Sequence, residues 1–155
     1  METQPLSASE PLSPRACVLI FNDQQQIMLI HRVKNGSDYW VVPGGSIEAG
    51  ETPVSAAIRE AREELSLTVE KLILCFEQQN RQRHEYYFFT NHYHGTAALG
   101  QGPEQLRQHA SNLYQPAWVK VTELADINLQ PTSTKARILA QQHLWSAQLK
   151  PLSGA

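Results

Sequence analysis

Cysteine is scarce: Cys17 and Cys75 are the two in 155 residues, and both sit within apolar stretches. A chain this long buries roughly two-thirds of its unfolded-state surface unaided. It therefore needs neither a disulfide scaffold nor a stapling metal, and both thiols are expected in a reduced core. Long hydrophobic runs are missing as well; none approaches the roughly 20 residues of a membrane span. The first fourteen residues lack a basic segment leading into an apolar one, so no secretory leader is expected and a cytoplasmic setting fits. Charge of one sign is also in short supply. The 13 basic and 15 acidic residues leave a formal net charge of −2, which provides no global attraction to nucleic acid or anionic membrane. Apolar residues, at 41%, are plentiful enough for a globular domain.

Residues 1–14 are rich in Pro, Ser, Glu and Gln and read as a disordered tail. Residues 15–148 read as one domain and 149–155 as a second short tail. Residues 16–21 and 27–32 are β-rich runs around a polar turn at 22–26, which predicts a hairpin. A strand over 39–42 ends at Pro43-Gly44-Gly45. Residues 53–65 read as helix, 72–78 and 85–94 as strands, 95–116 as loop with a helical turn, and 117–121 as a further strand. A last helix covers 133–147, with capping hydroxyls from Thr132 and Ser133. Ala136, Leu139, Ala140, His143, Leu144 and Ala147 share its expected inner face. This order predicts a mixed α/β domain.

The segment 52–67, TPVSAAIREAREELSL, is the informative one. Thr52 can cap it, and Pro53 suits a first helical position. At about 100° per residue, Val54, Ile58, Ala61 and Leu65 share a sector of about 60°, the expected core face. Glu60, Glu63 and Glu64 gather in a sector about 80° wide on nearly the opposite side. As mere surface this is unfavourable. Like charges at i,i+3 and i,i+4 repel by about 0.2–0.5 kcal/mol per pair, and the macrodipole disfavours anions in a helix's second half. Arg59 and Arg62 relieve part of this. The residues alone leave two readings: a solvated polar face, or oxygen ligands for a hard divalent cation. In the preceding loop, Gly44 and Gly45 allow positive φ or close backbone approach to a ligand, and a carbonyl there could add a neutral oxygen.

Taken together, Gly45, Glu51, Arg59, Glu60, Ala61, Glu63, Glu64 and Leu67 resemble the Nudix box, G-x5-E-x7-R-E-U-x-E-E-x-G-U with U apolar. Ser66 stands where the family usually has glycine. The chain is similar to Nudix hydrolases of the MutT-like pyrophosphohydrolase type over residues 15–148. The resemblance implies an α/β Nudix fold, a mixed β-sheet sandwiched between α-helices (α/β/α). It also implies hydrolysis of a phosphoanhydride in a nucleoside diphosphate linked to another group, with Mg2+ or Mn2+ as cofactor. Glu60, Glu63 and Glu64 are the implied metal carboxylates, with the Gly44 carbonyl completing the shell. Glu60, Glu63 and Arg59 form the implied catalytic set. Glu60 would activate water, and Arg59 would orient Glu51 or Glu60. Gly45 and Glu51 are the structural part of the box. Ser66 affects the helix exit and removes no ligand.

Beyond the box, Arg32 is the leading phosphate contact, because its planar fork suits phosphate oxygens. Glu85 and Glu104 are candidates for a further carboxylate or substrate contact. Tyr39, Trp40, Tyr87 and Trp118 can stack a base or serve the core. His84, His92 and His94 lack a further ligand for tetrahedral zinc. The expected partner is a small nucleotide, by default a nucleoside triphosphate, with neither membrane nor nucleic acid involved; a homodimer is compatible. Alternatives are a non-catalytic nucleotide-binding Nudix module and an RNA 5′-end pyrophosphohydrolase.

Overall fold

Two apolar runs near the start of the chain become strands buried on both faces, and the other elements are arranged around them. The computed structural model describes residues 12–98 and 112–147. In it, β1 (Arg15–Ile20) and β2 (Gln26–Lys34) each divide their side chains between two cores. Val18, Ile20, Met28 and Ile30 pack with Ala61 and Leu65 of α1 (Pro53–Leu65). Cys17, Leu19, Ile27 and Leu29 pack on the other side, with Ile138 and Trp145 of α2 (Thr132–Ser146). This is the expected α/β/α layering. Strands covered on both faces have no polar side to show, which is why neither run alternates.

The expected hairpin closes at its turn, where Phe21 and Ile27 form one antiparallel bridge and the Asn22 amide donates to the Gln26 carbonyl, but the two strands then part into different sheets. β1 pairs in parallel with β7 (Arg83–Thr90) and antiparallel with β4 (Gly44–Ser46). β2 instead pairs antiparallel with β3 (Ser37–Val41) and β9 (Asn112–Lys120). Asn22 steers the chain from one sheet into the other, its side-chain oxygen accepting from the amides of Gln24 and Gln26. The expected mixed sheet is thus divided. Four strands run in the order β4-β1-β7-β6, with β6 at Ile73–Asn80. Three run β3-β2-β9, and β5 (Thr68–Glu70) pairs with β8 (His92–His94).

α1 lies where the sequence places it. Thr52 and Ser55 exchange bonds in a capping box, and Pro53 opens the first turn. Ser66 ends the helix in the left-handed conformation, φ 62°, its amide donating to the Arg62 carbonyl. On the core face Ala56, Ala57, Ala61 and Leu65 are buried, whereas Val54 is exposed. The alanines let the helix sit close upon β1, and Val54, in the first turn, lies beyond that contact.

The inner face of α2 differs wholly from the expectation. Thr134, Ile138 and Trp145 point inward, whereas Ala136, Leu139, Ala140, His143, Leu144 and Ala147 are exposed. Trp145 packs against Phe76 and Phe89, and Thr134 joins a buried hydrogen-bond network. One large aromatic with a pocket outweighs several small apolar groups in setting the helix's rotation. Its N-cap is Pro131, with no side-chain capping bond, so the expected hydroxyls do not cap it.

Residues 112–116, expected as loop, begin β9. That strand borders its sheet, where Pro116's missing N–H is tolerated. Residues 85–94, expected as one strand, divide at Asn91 into β7 and β8. Val121–Asp126 forms a 3-10 turn. The expected C-terminal tail and Glu104 lie outside the described residues, as does the N-terminal tail up to residue 11. Residues 12–14 are bonded to the domain: the Leu12 amide donates to the Gln82 carbonyl, and the Ile47 amide donates to that of Pro14. Both cysteines are free thiols. Burial pushes Cys17 up to about 11 and Cys75 up to about 12, which keeps them unreactive.

Candidate active site

The site begins with two missing side chains. A Cβ on Gly44 would stand 2.4 Å from the Ala16 carbonyl oxygen, and one on Gly45 would stand 2.2 Å from a Glu60 carboxylate oxygen. Neither glycine has a positive φ, so close approach is what requires them, not turn geometry. The space beneath β4 receives Glu60 and Glu64, which are therefore half-buried instead of lying on a solvated stripe. Glu64 accepts the Gly44 N–H through Oε1 at 3.0 Å, and its Oε2 accepts the Tyr114 hydroxyl proton. Glu63, with its side chain 57% exposed, points outward.

Arg59 ties these groups together. Its Nε and Nη2 grip both oxygens of Glu51 at 2.6 and 2.9 Å. Its Nη1 donates to Glu60 and Glu63 at 3.0 and 3.1 Å, and Nη2 also donates to the Ser46 carbonyl. The expectation was that Arg59 would hold Glu51 or Glu60; it holds both. The hydrogen bonds from Arg59 keep the Glu51 carboxyl down at about 2. Glu64 behaves oppositely. Burial pushes it up to about 7; the Tyr114 hydrogen bond works against the rise and the Glu60 charge adds to it. Glu60 is raised too, chiefly by burial. In both, burial outweighs the nearby positive charge, that of Arg59 and Arg15 on Glu60 and that of Arg15 on Glu64.

Cations line the same space. A cavity of about 360 Å³ is lined by Glu60 and Glu64 and by Arg15, Arg32 and Arg83. These arginines come from β1, β2 and β7, far apart in sequence. The Nε atoms of Arg32 and Arg83 are buried without a hydrogen-bond partner among the described residues. Arg32, the expected phosphate contact, lines the cavity with the glutamates, and Arg15, Arg83 and Tyr114 are additions. No local pattern marked them, since an arginine at a strand end and a tyrosine in a strand are both commonplace.

A second cavity of about 340 Å³ adjoins the first, sharing Arg15, Val41, Val42 and Arg83. Glu85, considered as a further metal carboxylate, lies here and not among the glutamates of α1. It is 3% exposed and accepts from Gln78, Tyr87 and Asn80, with Arg15 at 3.9 Å. Three of the candidate stacking residues already have partners: Trp40 with His31, Tyr87 with Phe76, and Trp118 with Tyr93. The histidines stay apart, His84 bonded to Glu77 and Gln79, and His94 beside Glu70.

Among the described residues no three His, Cys, Asp or Glu side chains converge at metal-ligand spacing. On α1, Arg59 bonds both Glu60 and Glu63. The donor set still fits a hard divalent cation. Its ligands are carboxylate oxygens, two of them raised chiefly by burial, and Glu63 is exposed enough to turn.

The NUDIX domain family model matches residues 11–142. The chain belongs to the Nudix family. Over 76 residues, 48% of this chain, it is 33% identical to a Homo sapiens diphosphoinositol polyphosphate phosphohydrolase, covering 42% of that protein. Over 78 residues, 50% of this chain, it is 32% identical to an RNA pyrophosphohydrolase of Ruthia magnifica subsp. Calyptogena magnifica, again covering 42%. The chain thus matches less than half the length of these curated relatives. Among solved structures, MutT studied from Aliivibrio salmonicida and Vibrio cholerae superposes with a TM-score of 0.66 at 24% identity, covering 83% of this chain and 97% of that one. A MutT NUDIX hydrolase from Burkholderia pseudomallei gives 0.61 at 21%, covering 83% and 96%. At such identities these two structures show the shared Nudix fold. No helix among the described residues is long and apolar enough to cross a membrane.

Proposed function

We propose that this Nudix protein is a metal-dependent pyrophosphohydrolase that cleaves a phosphoanhydride in a small nucleotide, a nucleoside triphosphate or related compound, in the cytoplasm. One observation carries the reading: half-buried carboxylates and three arginines line a single cavity. A substrate carrying several phosphates satisfies both walls. The arginines meet phosphate oxygens with paired donors. Glu60, Glu63 and Glu64, with the Gly44 carbonyl, would hold Mg2+ or Mn2+, which supplies neutralisation of phosphate charge and a lowered pKa for water. Glu60 takes the proton from the attacking water. The water oxygen forms the new bond to phosphorus, and the bridging P–O bond breaks with its electron pair leaving on the departing phosphate. Arg59 keeps Glu60 aimed and ties it to Glu51.

The adjoining cavity supports a nucleotide over a bare polyphosphate. Val41, Val42 and Pro131 provide apolar walls, while Asn80, Glu85 and Gln130 provide polar edges, the combination a flat heterocycle needs. A second reading comes from the relative named as an RNA pyrophosphohydrolase, since the 5′-triphosphate of an RNA presents the same anhydride. The deciding experiment is pyrophosphate and phosphate release, with Mg2+ or Mn2+, from nucleoside triphosphates, nucleotide sugars, diphosphoinositol polyphosphates and 5′-triphosphorylated RNA. It compares wild type with Glu63→Gln and Glu64→Gln. Turnover confined to wild type is expected. Equal activity in all three proteins rejects the assignment. Ligand-dependent thermal stabilisation without turnover on any substrate would favour a non-catalytic binding module instead.

A further inference from the structure

Glu64 is the most enclosed carboxylate of the candidate metal set, and its conformation is set from two directions. From one side the Gly44 N–H of β4 donates to Oε1. From the other, the Tyr114 hydroxyl donates to Oε2. Gly44 belongs to the four-stranded sheet and Tyr114 to the three-stranded one. The carboxylate therefore sits at the seam between sheets, and neither donor is near it in sequence. Tyr114 is buried, 7% exposed, so its ring has little freedom to swing the hydroxyl away.

Tyr114 is also opposite Arg32 in the β2–β9 register. The Arg32 guanidinium carbon stands 4.8 Å from the centre of the Tyr114 ring, a cation–π distance. Positive charge over the ring draws electron density from the phenol and strengthens its O–H as a donor, as linked hydrogen bonds polarise one another. A continuous contact thus runs from Arg32, the expected phosphate contact, through Tyr114 to Glu64.

We propose that Tyr114 is a positioning residue for the metal site, holding Glu64 in its ligating conformation and coupling that carboxylate to the phosphate-binding Arg32. The inference rests on the proposed assignment of Glu64 as a metal ligand. Tyr114 lines the cavity, but its hydroxyl is engaged by Glu64; it acts through that carboxylate, as outer-shell partners of metal ligands generally do. Loss of such a partner weakens metal affinity or activity by about 10–100-fold. Coupling through Arg32 is reciprocal: a bound phosphate analogue tightens ion binding, and the ion tightens the analogue by the same factor.

The test is Mn2+ binding to the full chain at constant pH, by calorimetry, for wild type and Tyr114→Phe, with and without a non-hydrolysable nucleoside triphosphate. The Phe ring retains the packing and the contact with Arg32 and loses only the hydroxyl. Mn2+ affinity is expected to fall by about 10-fold or more, with the melting midpoint of the metal-free protein little changed and kcat recovering at saturating Mn2+. The analogue is expected to tighten Mn2+ binding in wild type and to do so less in the variant. Should Tyr114→Phe prove less stable, a double-mutant cycle with Glu64→Gln keeps the question open to decision. Tyr114→Phe should add no penalty once Glu64 is gone, and independent penalties overturn the role. Equal Mn2+ affinity in wild type and Tyr114→Phe overturns it as well. A wild type that takes up no Mn2+ overturns the metal site, and with it the assignment on which this role rests.

Discussion

The two walls of the cavity are built in opposite ways. The acidic wall, Glu60 and Glu64, comes from a single helix, and Arg59 with the Glu51 and Glu63 it bonds lies in the same stretch of 14 residues. The basic wall gathers Arg15, Arg32 and Arg83 from three strands in two sheets. A helix repeats every 3.6 residues, so its geometry puts spaced glutamates on one side whatever the rest of the chain does. Strand pairing has no such local rule, and the arginines meet only because β1 and β7 lie side by side in parallel and β2 crosses into the neighbouring sheet. The difference predicts different failures: changes to the acidic wall should impair turnover, and changes to the basic wall should impair substrate binding.

The largest effect is expected at Glu60. Glu60→Gln should lower kcat by about 10²–10⁴-fold, the usual contribution of a general base, with the circular dichroism spectrum unchanged. A variant retaining full kcat would move the base off α1 and break the comparison. Next is the pH response of the metal-free protein. Glu64 is raised from 4.5 to about 7, so between those values the folded state holds a proton that the unfolded chain has released. Stability should therefore increase as pH falls from about 7 to about 4.5, by on the order of 3 kcal/mol, and the increase should vanish in Glu64→Gln. Glu51 has the opposite sign. Held at about 2 by Arg59, it stabilises the fold above its ordinary range and loses that contribution as the pH falls towards 2. Thermal melts across both windows separate the two.

The paired glycines sharpen the contrast within β4. A methyl on Gly45 meets the movable Glu60 carboxylate, whereas one on Gly44 meets the Ala16 backbone. Gly45→Ala should keep its fold and lose about 100-fold in kcat, as a displaced catalytic group does. Gly44→Ala should instead lower stability by about 1–3 kcal/mol, read in denaturant melts. On the basic wall, Arg32→Ala should lower kcat/KM by about 10–100-fold, the worth of a charge-assisted hydrogen bond, mostly through KM. The smallest effect belongs outside both walls. Ser66→Gly removes a left-handed strain of about 1 kcal/mol, partly offset by glycine's extra unfolded-state freedom, and should leave activity unchanged.

Legibility in the sequence follows the same division. The bounds of α1, its Thr52 cap and its Pro53 start are local properties and are found as read, whereas its acidic cluster is divided, Glu63 exposed and Glu60 and Glu64 half-buried. The face of α2 could not be read in this way. Apolar residues at helical spacing pointed to Leu139 and Leu144, whereas the packing of Trp145 against Phe76 and Phe89 turned the helix so that both are exposed. The hairpin expected of β1 and β2 stops after a single bridge, Phe21 to Ile27, for a related reason. A polar turn between apolar runs signals a reversal but does not specify whether the second strand pairs with the first or enters another sheet.

The chain's own order of residues determined the acidic helix, its cap and the glycines before it, because interactions across three or four residues settle such features as soon as a helix forms. Only the tertiary structure decided that Glu60 and Glu64 are half-buried, that Arg15, Arg32 and Arg83 line a cavity with them, and that Tyr114 reaches Glu64 from 50 residues away. These contacts join segments whose meeting depends on which strands pair, and pairing is chosen by burial over the whole domain, not by any short stretch of it.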